Sequence, residues 1–503
     1  MVTTSRQKLR DFRWWMAIQR NKFVVRVIFL VTNLCLAASV LASEYSQPGF
    51  YDVEHYVLEN GMHVILKPRH GARNVAIQLS VNIGHHNFPC GKRETAHFLE
   101  HLLFTGTSSH TETELEHLIE SHGGSWNAET SSDYTLYSLE IFSKHLDVGL
   151  MTLHEIITDS TITEENVEKS RKILFRESGG KPSGIREWLY KNEIVQLATT
   201  RALNTVFPGI EYQCTGLDEN SSVTREEILQ AHRNYYVAVN MTLALVGDFK
   251  PATARKFIQQ TFGAMPLRKL DGVKPRSVPA AFKPTPEIIE GRWHPMVGSE
   301  ATVYFIYRTG GLYSPHYYAL DVLESYFQTE LYNQLRIETG MAYAPNAYTY
   351  MYDDYGAFIL ETDAELDDVE HSISLIKDAI MQYQQGKLDQ QRLDSVKQKI
   401  LLSSARGYES NSSFAEYYAL TIEDVKRYGK FENYEDHIEQ VSIEAVRDAT
   451  SAYLSDTNLV IAVVRPTLTY TQFYLLLLLV TGLLVLVAWR LVRKIKLLHS
   501  VKK

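Results

Sequence analysis

The sequence predicts an α+β protein with two homologous α/β-sandwich-like domains, joined by a linker and followed by one transmembrane helix. Its 503 residues are 45% hydrophobic and 22% charged, which is enough apolar material for about two to four domains. Four segments of the first half recur in the same order in the second half, and an uncharged run lies near the C-terminus. Each domain should therefore contain a mostly antiparallel sheet with helices packed on it.

Residues 1–42 have the pattern of a signal peptide. A basic stretch precedes the apolar run VIFLVTNLCLAASVLA, which ends in small residues at Val40 and Ala42. This order of a basic region, an apolar core and small residues predicts cleavage after Ala42 and export of the chain. A mitochondrial presequence is the alternative, although Asp11 and the continuous apolar core are untypical of one.

The internal repeat is visible as strand and helix patterns that match in order. The alternating run VAIQLSVNIG begins at Val75, and the similar run ATVYFIYRTGG begins at Ala301. The further matches are 136–157 with 358–380, 165–178 with 391–404, and 234–251 with 452–467. Four matches in one order predict two copies of a single unit.

A proline-rich stretch, PLRKLDGVKPRSVPAAFKPTPE, separates the two copies and has little apolar periodicity. We therefore predict domains at 47–265 and 293–468, with a linker at 266–292. Within the first domain, Asn60-Gly61 lies between two extended runs and predicts a hairpin.

The uncharged run at 473–489 predicts a membrane-spanning helix at 471–490. As a helix, this run extends over roughly 26 Å, just enough for a bilayer core. A buried core helix is the alternative, which the terminal position disfavours. Arg490, Arg493 and Lys494 follow the run, so residues 491–503 should form a basic cytoplasmic tail. Together with the signal peptide, this predicts a protein of the cell inner membrane whose body lies on the extracytoplasmic side.

Net charge and cysteine usage narrow the choice of partners and compartment. The formal net charge is −8 although both ends are basic, so the body is acidic and nucleic acid is excluded as the main partner. Cys35 lies in the predicted signal peptide, which leaves Cys90 and Cys214. Their spacing gives no thiolate metal motif, and a disulfide and two free thiols both remain open.

The stretch ETAHFLEHLLFTGT contains the motif HxxEH, which is formed by His97, Glu100 and His101. On a helix these three side chains project from one face. Two imidazoles at this spacing can bind one zinc ion, and the glutamate between them can act on water as a general base. Core histidines that are hydrogen-bonded to the backbone are the alternative. HxxEH is also the inverted form of the HExxH motif of zinc peptidases.

The segments AHFLEHLLFTGT, LIESHGGSWNAETSSDYTLYSLEI and KILFRE resemble the pitrilysin or insulinase family of zinc peptidases. The resemblance is to the two-domain form typified by mitochondrial processing peptidase and bacterial relatives, and it covers nearly all of residues 50–466. It implies a third zinc ligand, Glu177, which lies in the segment LFRES at the family's distance from His101. The second copy has Ser404 at the matching place and no HxxEH motif, so only the first copy should bind metal.

The resemblance implies further site residues. Asn127 and Ala128 match an edge strand whose backbone pairs with an extended substrate. Arg336 and Tyr343 match a pair that stabilises charge on the scissile carbonyl and is generally presented by a partner subunit, so the resemblance implies a homodimer or a heterodimer. Each of these four residues has an ordinary structural role as its alternative. One position departs from the family pattern, because Ser170 stands where a second glutamate is common.

These expectations combine into one predicted function. The chain should be a membrane-anchored zinc metalloendopeptidase with one Zn²⁺ per chain, held by His97, His101 and Glu177, with Glu100 as the general base. Its substrates should be peptides or unfolded polypeptides in extended conformation. The alternative is a catalytically inactive family member that acts as a scaffold or a substrate-binding subunit.

Overall fold

The computed structural model describes residues 49–180, 184, 188, 198–209, 222–270, 279–282, 288–292 and 296–500, the last five by backbone alone. Residues 54–503 belong to one compact unit. The predicted signal peptide at 1–42 lies outside the described residues. Cys90 is disulfide-bonded, and its partner is also outside them.

The first half is organised around a six-stranded sheet with the strand order β1-β2-β6-β3-β5-β4. The strands are β1 Glu54–Val57, β2 His63–Pro68, β3 Asn74–Val81, β4 Ser125–Thr130, β5 Thr135–Phe142 and β6 Met241–Gly247. Only the pair β2 and β6 is parallel. The predicted hairpin is confirmed between β1 and β2, where Gly61 adopts a φ of 89°, a conformation that strongly favours glycine.

Seven described α-helices belong to the first half. They are α1 Thr95–Leu103, α2 Glu112–Ser121, α3 Leu146–Asp159, α4 Glu164–Glu177, α5 Ala198–Val206, α6 Arg225–Tyr235 and α7 Pro251–Gln260. Three of them begin at a threonine whose side chain accepts a hydrogen bond from the third helical amide: Thr111, Thr163 and Thr224. Such caps satisfy backbone groups that the helix leaves unpaired. Helix α1 packs against α4, α6 and β4.

The second half repeats this architecture, which confirms the predicted duplication. Its strands are β7 Ile289–Arg292, β8 Glu300–Thr309, β9 Asn346–Met351, β10 Gly356–Glu365 and β11 Leu459–Arg465. Their order, β7-β11-β8-β10-β9, is that of β2-β6-β3-β5-β4, and again only the first pair is parallel. Strand β7 lies inside the predicted linker 266–292, so the second sheet begins before residue 293.

The second half has its own helices, most of which share a core with one face of its sheet. They are α8 Tyr317–Leu331, α9 Val369–Gln384, α10 Gln390–Gly407, α11 Asn411–Leu420, α12 Ile422–Tyr428, α13 Tyr434–Gln440 and α14 Ile443–Tyr453. A π-helical segment, Tyr332–Glu338, extends α8.

Each half supplies one helix to the sheet of the other half. Helix α5 packs on β7, β8 and β11, where Leu203 and Phe207 join a buried cluster with residues of the second sheet. Helix α11 packs in return on β2, β3, β5 and β6. There Asn411 accepts a hydrogen bond from Arg69 at 2.9 Å, and the Arg69 guanidinium lies 4.1 Å from the centre of the Phe414 ring. The two halves therefore share their packing rather than folding as separate bodies.

The last helix, α15, runs from Tyr470 to Ser500. Its stretch Tyr470–Ile495 has the length and composition of a membrane span, and none of its most apolar window is buried. The helix includes the predicted span 471–490 and continues into the predicted tail, where leucine, lysine and arginine are good helix formers.

Candidate metal centre

The HxxEH motif lies on α1, and Glu177 is the last residue of the neighbouring helix α4. The Oε2 atom of Glu177 lies 3.5 Å from His97 Nε2 and 3.6 Å from His101 Nε2. One ligand atom from each of these three residues falls within 4.8 Å of the other two. The structure thus brings together all three residues that the sequence assigned to the metal.

This donor set fits zinc. Bonds of roughly 2.0–2.2 Å to imidazole nitrogen and carboxylate oxygen place tetrahedral ligands about 3.4 Å apart, close to the separations between Glu177 and the two rings. Three protein ligands leave a fourth position for water or substrate, as in catalytic zinc sites.

A second carboxylate, which the sequence analysis missed, orients the first ring. Glu94 stands at the start of α1, and its Oε2 lies 2.9 Å from His97 Nδ1. This contact leaves Nε2 of His97 free to face Glu177 and fixes the ring orientation, as carboxylates behind zinc-bound histidines do. A signal was present, because the positions of Glu94 and His97 are one helical turn apart, which is a contact distance on a helix.

The carboxylates make this site favourable for a cation. Burial opposes protonation of His97, but the hydrogen bond with Glu94 and the charges of Glu100, Glu94 and Glu177 outweigh it and raise the pKa of His97. Burial and the neighbouring His97 ring lower the pKa of His101. The two rings sit among three acidic groups, so a positive charge between them is stabilised.

Glu100 is positioned by a strand. Thr130, the last residue of β4, donates a hydrogen bond of 2.6 Å from Oγ1 to Glu100 Oε2. Only one carboxylate oxygen is involved in this bond, so the other remains available. Thr130 has no signature in the sequence, because it reaches Glu100 through tertiary packing.

The metal centre opens into a cavity of about 490 Å³. His97, Glu100, His101 and Glu177 line it together with the predicted substrate residues Asn127 and Ala128. Ser170 also lines the cavity and is 1% exposed. The described residues that line the cavity all lie between His97 and Glu177, within the first half.

Strand β4 forms the open edge beside this cavity. In the described part of the chain it pairs with β5 alone. Trp126 anchors the strand, since its indole N–H donates to Glu116 Oε2 at 2.8 Å and its ring packs edge-to-face on Phe104. The backbone at Asn127 and Ala128 is therefore held at an edge that has room for another strand.

Arg336 and Tyr343 lie together but are not among the residues that line the cavity. The Arg336 guanidinium donates to the Tyr343 carbonyl and lies 4.4 Å from the centre of its ring. Asp363 accepts hydrogen bonds from the backbone amides of Tyr343 and Ala344. Tyr343 is 73% exposed and projects from the surface of the second half, whereas Arg336 is half-buried beside it.

Comparisons with known proteins agree with this fold. The model for "Insulinase (Peptidase family M16)" matches residues 63–181, and the model for "Peptidase M16 inactive domain" matches residues 222–400. The chain belongs to the insulinase family, peptidase family M16. The metal ligands all fall in the first match, and most of the second repeat falls in the second.

Two relatives match this chain over 62% and 42% of its length. A zinc protease of Rickettsia felis is 24% identical over 62% of this chain and 74% of its own. The beta subunit of the mitochondrial processing peptidase of Blastocladiella emersonii is 27% identical over 42% of this chain and 44% of its own. These names support a zinc peptidase-like protein.

Solved structures share the fold. A Helicobacter pylori protease has a TM-score of 0.71 at 20% identity, covering 83% of this chain and all of the other. A peptidase M16 inactive domain of Pseudomonas fluorescens has a TM-score of 0.68 at 17% identity, covering 83% of this chain and 98% of the other.

Proposed function

We propose that this chain is a zinc metallopeptidase, tethered to a membrane by α15, that cleaves peptides bound in extended conformation. The convergence of His97, His101 and Glu177 beside Glu100 carries this proposal. A protein that acts only as a scaffold needs neither three metal ligands nor a positioned general base.

The residues of the site have separate tasks. A zinc ion held by His97, His101 and Glu177 would supply a Lewis acid that acidifies water and polarises a carbonyl. Glu100 would accept the proton of the attacking water and return it to the leaving amine, in the usual way of a general base. Thr130 would hold Glu100 in place, and Glu94 would hold His97.

Strand β4 would position the substrate. An extended peptide that pairs with the backbone at Asn127 and Ala128 would lie along the cavity, with its scissile bond beside Glu100. Pairing through backbone hydrogen bonds depends little on which side chains the peptide carries, but it requires an extended chain. The substrates would therefore be unfolded or short polypeptides.

The second subunit of a homodimer or heterodimer would supply Arg336 and Tyr343. The exposure of Tyr343 and the position of both residues outside the cavity support this assignment. There they would stabilise the charge that develops on the scissile carbonyl oxygen, where a single such donor is worth about 3 kcal/mol.

Helix α15 would anchor the body to the inner membrane, with the body on the extracytoplasmic side. The basic residues after the apolar run support this topology. The disulfide at Cys90 supports an oxidising compartment. A mitochondrial location is the alternative.

Metal analysis of the purified chain, followed by mass spectrometry of a mixed peptide library, tests the proposal. The wild type should contain about one zinc per chain and cleave peptides. Glu100→Gln should keep the zinc and abolish cleavage, whereas His101→Ala should lose both. A zinc-loaded wild type that cleaves no peptide would favour the scaffold function, and full activity in Glu100→Gln would refute the role of Glu100.

A further inference from the structure

The second half contains a larger cavity, of about 880 Å³, at the place that corresponds to the metal centre. The correspondence follows from the buried residues of two helices. Those of α1 are Ala96, Phe98, Leu99, Leu102 and Leu103, and the same pattern recurs in α8 as Leu320, Val322, Leu323, Tyr326 and Phe327. Asp321, Glu324 and Ser325 therefore stand where α1 carries its HxxEH residues.

The carboxylate ligand is replaced as well. Buried Val167 and Ser170 of α4 recur as Leu393 and Val396 of α10. This register places Ser403 at the position of Glu177, directly before the predicted Ser404, and both serines line the second cavity.

The second cavity does not offer a metal site of the first kind. Across the described residues, only His97, His101 and Glu177 bring three histidine, cysteine or carboxylate ligand atoms within 4.8 Å of one another. The duplicated unit has kept the cavity and lost the metal donors.

Among the described residues, three carboxylates that line the cavity accept hydrogen bonds from neutral donors only. Asp321 accepts from the Tyr434 hydroxyl, and Glu324 Oε2 accepts from Thr349 Oγ1 at 2.7 Å. Asp424 accepts from the Tyr313 hydroxyl and the Glu432 amide, each at 3.4 Å.

The cations near the cavity are paired with other groups or lie beyond ion-pair distance of these carboxylates. Arg427, which stacks on the Tyr313 ring, favours the charged form of Asp424, but burial outweighs this effect on the pKa of Asp424. Lys426 pairs with Glu423 at 2.6 Å, and His437 hydrogen-bonds to Glu432 at 2.9 Å. Lys399 lines the cavity and is exposed. Within the described residues, no lysine, arginine or histidine nitrogen lies within the 4.0 Å ion-pair distance of Asp321, Glu324 or Asp424.

Burial therefore disfavours the charge on all three groups. It raises the pKa of Asp321 and Asp424, and it raises the pKa of Glu324 to about 7, with a smaller contribution from Asp321. All three residues are half-buried, and half-buried carboxylates without an ion-pair partner carry a desolvation cost, which a bound cation would reduce.

The walls of the cavity also suit a cation. Seven tyrosines line it, and aromatic faces attract ammonium and guanidinium groups. One already does so, because the Arg427 guanidinium lies 3.8 Å from the centre of the Tyr313 ring. Ser314 also lines this space, and its hydroxyl, which is buried from solvent, has no hydrogen-bond partner among the described residues.

We propose that this cavity binds an organic cation, a primary ammonium or guanidinium group, between the tyrosine faces and the carboxylates of Asp321, Glu324 and Asp424. The volume lies in the range of small-ligand sites, about 300–1,000 Å³. The aromatic walls and the dispersed carboxylates favour an organic cation over a metal ion. The proposal goes beyond the peptidase function, because it uses no residue of the metal centre.

Isothermal titration of the full chain in detergent tests the proposal, in a Glu100→Gln background so that no probe is cleaved. The probes are spermidine, a short peptide with one internal arginine, and the same peptide with neutral citrulline at that position. The variants are Glu324→Gln and Asp424→Asn, and Glu300→Gln on an exposed strand end is the matched control. Thermal unfolding of each variant reports that it is folded.

Spermidine or the arginine peptide should bind. Binding of spermidine identifies a free polyamine as the natural ligand, and binding of the arginine peptide identifies a basic side chain. Glu324→Gln and Asp424→Asn should each weaken this binding roughly tenfold or more, and Glu300→Gln should not. The citrulline peptide should not bind. If neither cation binds, if both cavity variants bind like the background, or if citrulline replaces arginine without loss, the proposal is wrong.

Discussion

Glu94 connects the start of α1 to the metal centre. Its carboxylate is hydrogen-bonded to Nδ1 of His97, while Nε2 of the same ring faces Glu177. Ring orientation at this histidine therefore depends on a residue that does not itself belong to the ligand set.

We expect Glu94→Gln to weaken zinc binding about 10- to 100-fold, the usual effect of losing a carboxylate behind a metal-bound histidine. Competition with a chromogenic chelator measures the zinc affinity. Glu120→Gln, on an exposed position of α2, is the control. Unchanged zinc affinity in Glu94→Gln would show that the ring is held by other contacts.

We expect Thr130→Val to reduce kcat while zinc remains bound. The substitution keeps the side-chain shape and removes a hydrogen bond to a charged group, worth about 1.5–3 kcal/mol. This predicts a decrease of roughly tenfold or more in kcat. Thr130→Ser should restore most of the rate, and a kcat equal to wild type in Thr130→Val would remove Thr130 from the site.

The sequence predicted the parts of the site that lie within one helix. His97, Glu100 and His101 follow from helical spacing, and Glu177 followed from the family resemblance, because it lies far from His101 along the chain. Thr130 was not predictable, since its contact with Glu100 depends on how β4 packs against α1. A glutamate at a helix start, such as Glu94, also looks like a simple cap.

Among the elements, β4 has the most direct bearing on substrate. An extended peptide that adds to its edge would form hydrogen bonds from every second residue, because strand residues alternate in direction.

We therefore expect an N-methyl scan of a cleaved peptide to show a period of two. Methylation at alternate positions removes one ladder hydrogen bond and should lower kcat/KM about three- to tenfold, and methylation between them should have little effect. Steady-state kinetics on each peptide measures this pattern. A uniform loss along the peptide would contradict strand addition.

Strands were predictable where apolar and polar residues alternate over many positions, as in β3 and β8. The short strand β7 lies within the stretch that the sequence predicts as a linker, because a segment of four residues carries little periodicity. The partners of α5 and α11 were also not predictable. An amphipathic helix indicates that one face is buried, but not which sheet covers it.

Over the whole molecule, the exchange of α5 and α11 couples the two halves. We expect Leu203→Ala, at a position 4% exposed on α5, to lower the free energy of unfolding by about 2–5 kcal/mol. Because α5 belongs to the first half and packs on the second, both should unfold in one transition. Urea titration followed by circular dichroism and by zinc release measures both events.

The matched control is Leu402→Ala, at a position 54% exposed, where we expect a change within about 0.5 kcal/mol. Zinc release that is unchanged in Leu203→Ala, while circular dichroism shows early loss of structure, would mean that the halves unfold independently.

We expect deletion of residues 470–503 to move the protein from the membrane fraction to the soluble fraction without loss of activity. The apolar window of α15 is not buried, so its removal exposes no core. Fractionation followed by peptide cleavage measures both properties. Retention of the truncated protein in the membrane pellet would assign the anchor to another segment.

The duplication itself was predictable from the sequence, because corresponding segments keep their order and a nearly constant spacing. The shared packing was not, since α11 covers β3 from the opposite half of the chain.

This reciprocal cover bears on the history of the chain. A duplicated domain that carries no metal site is ordinarily free to accumulate changes. Here, loss of the second half would remove α11 from the sheet of the first half and expose an apolar face of that sheet to water. Selection that keeps the first half folded therefore also preserves the second half, whose cavity can then acquire a ligand of its own.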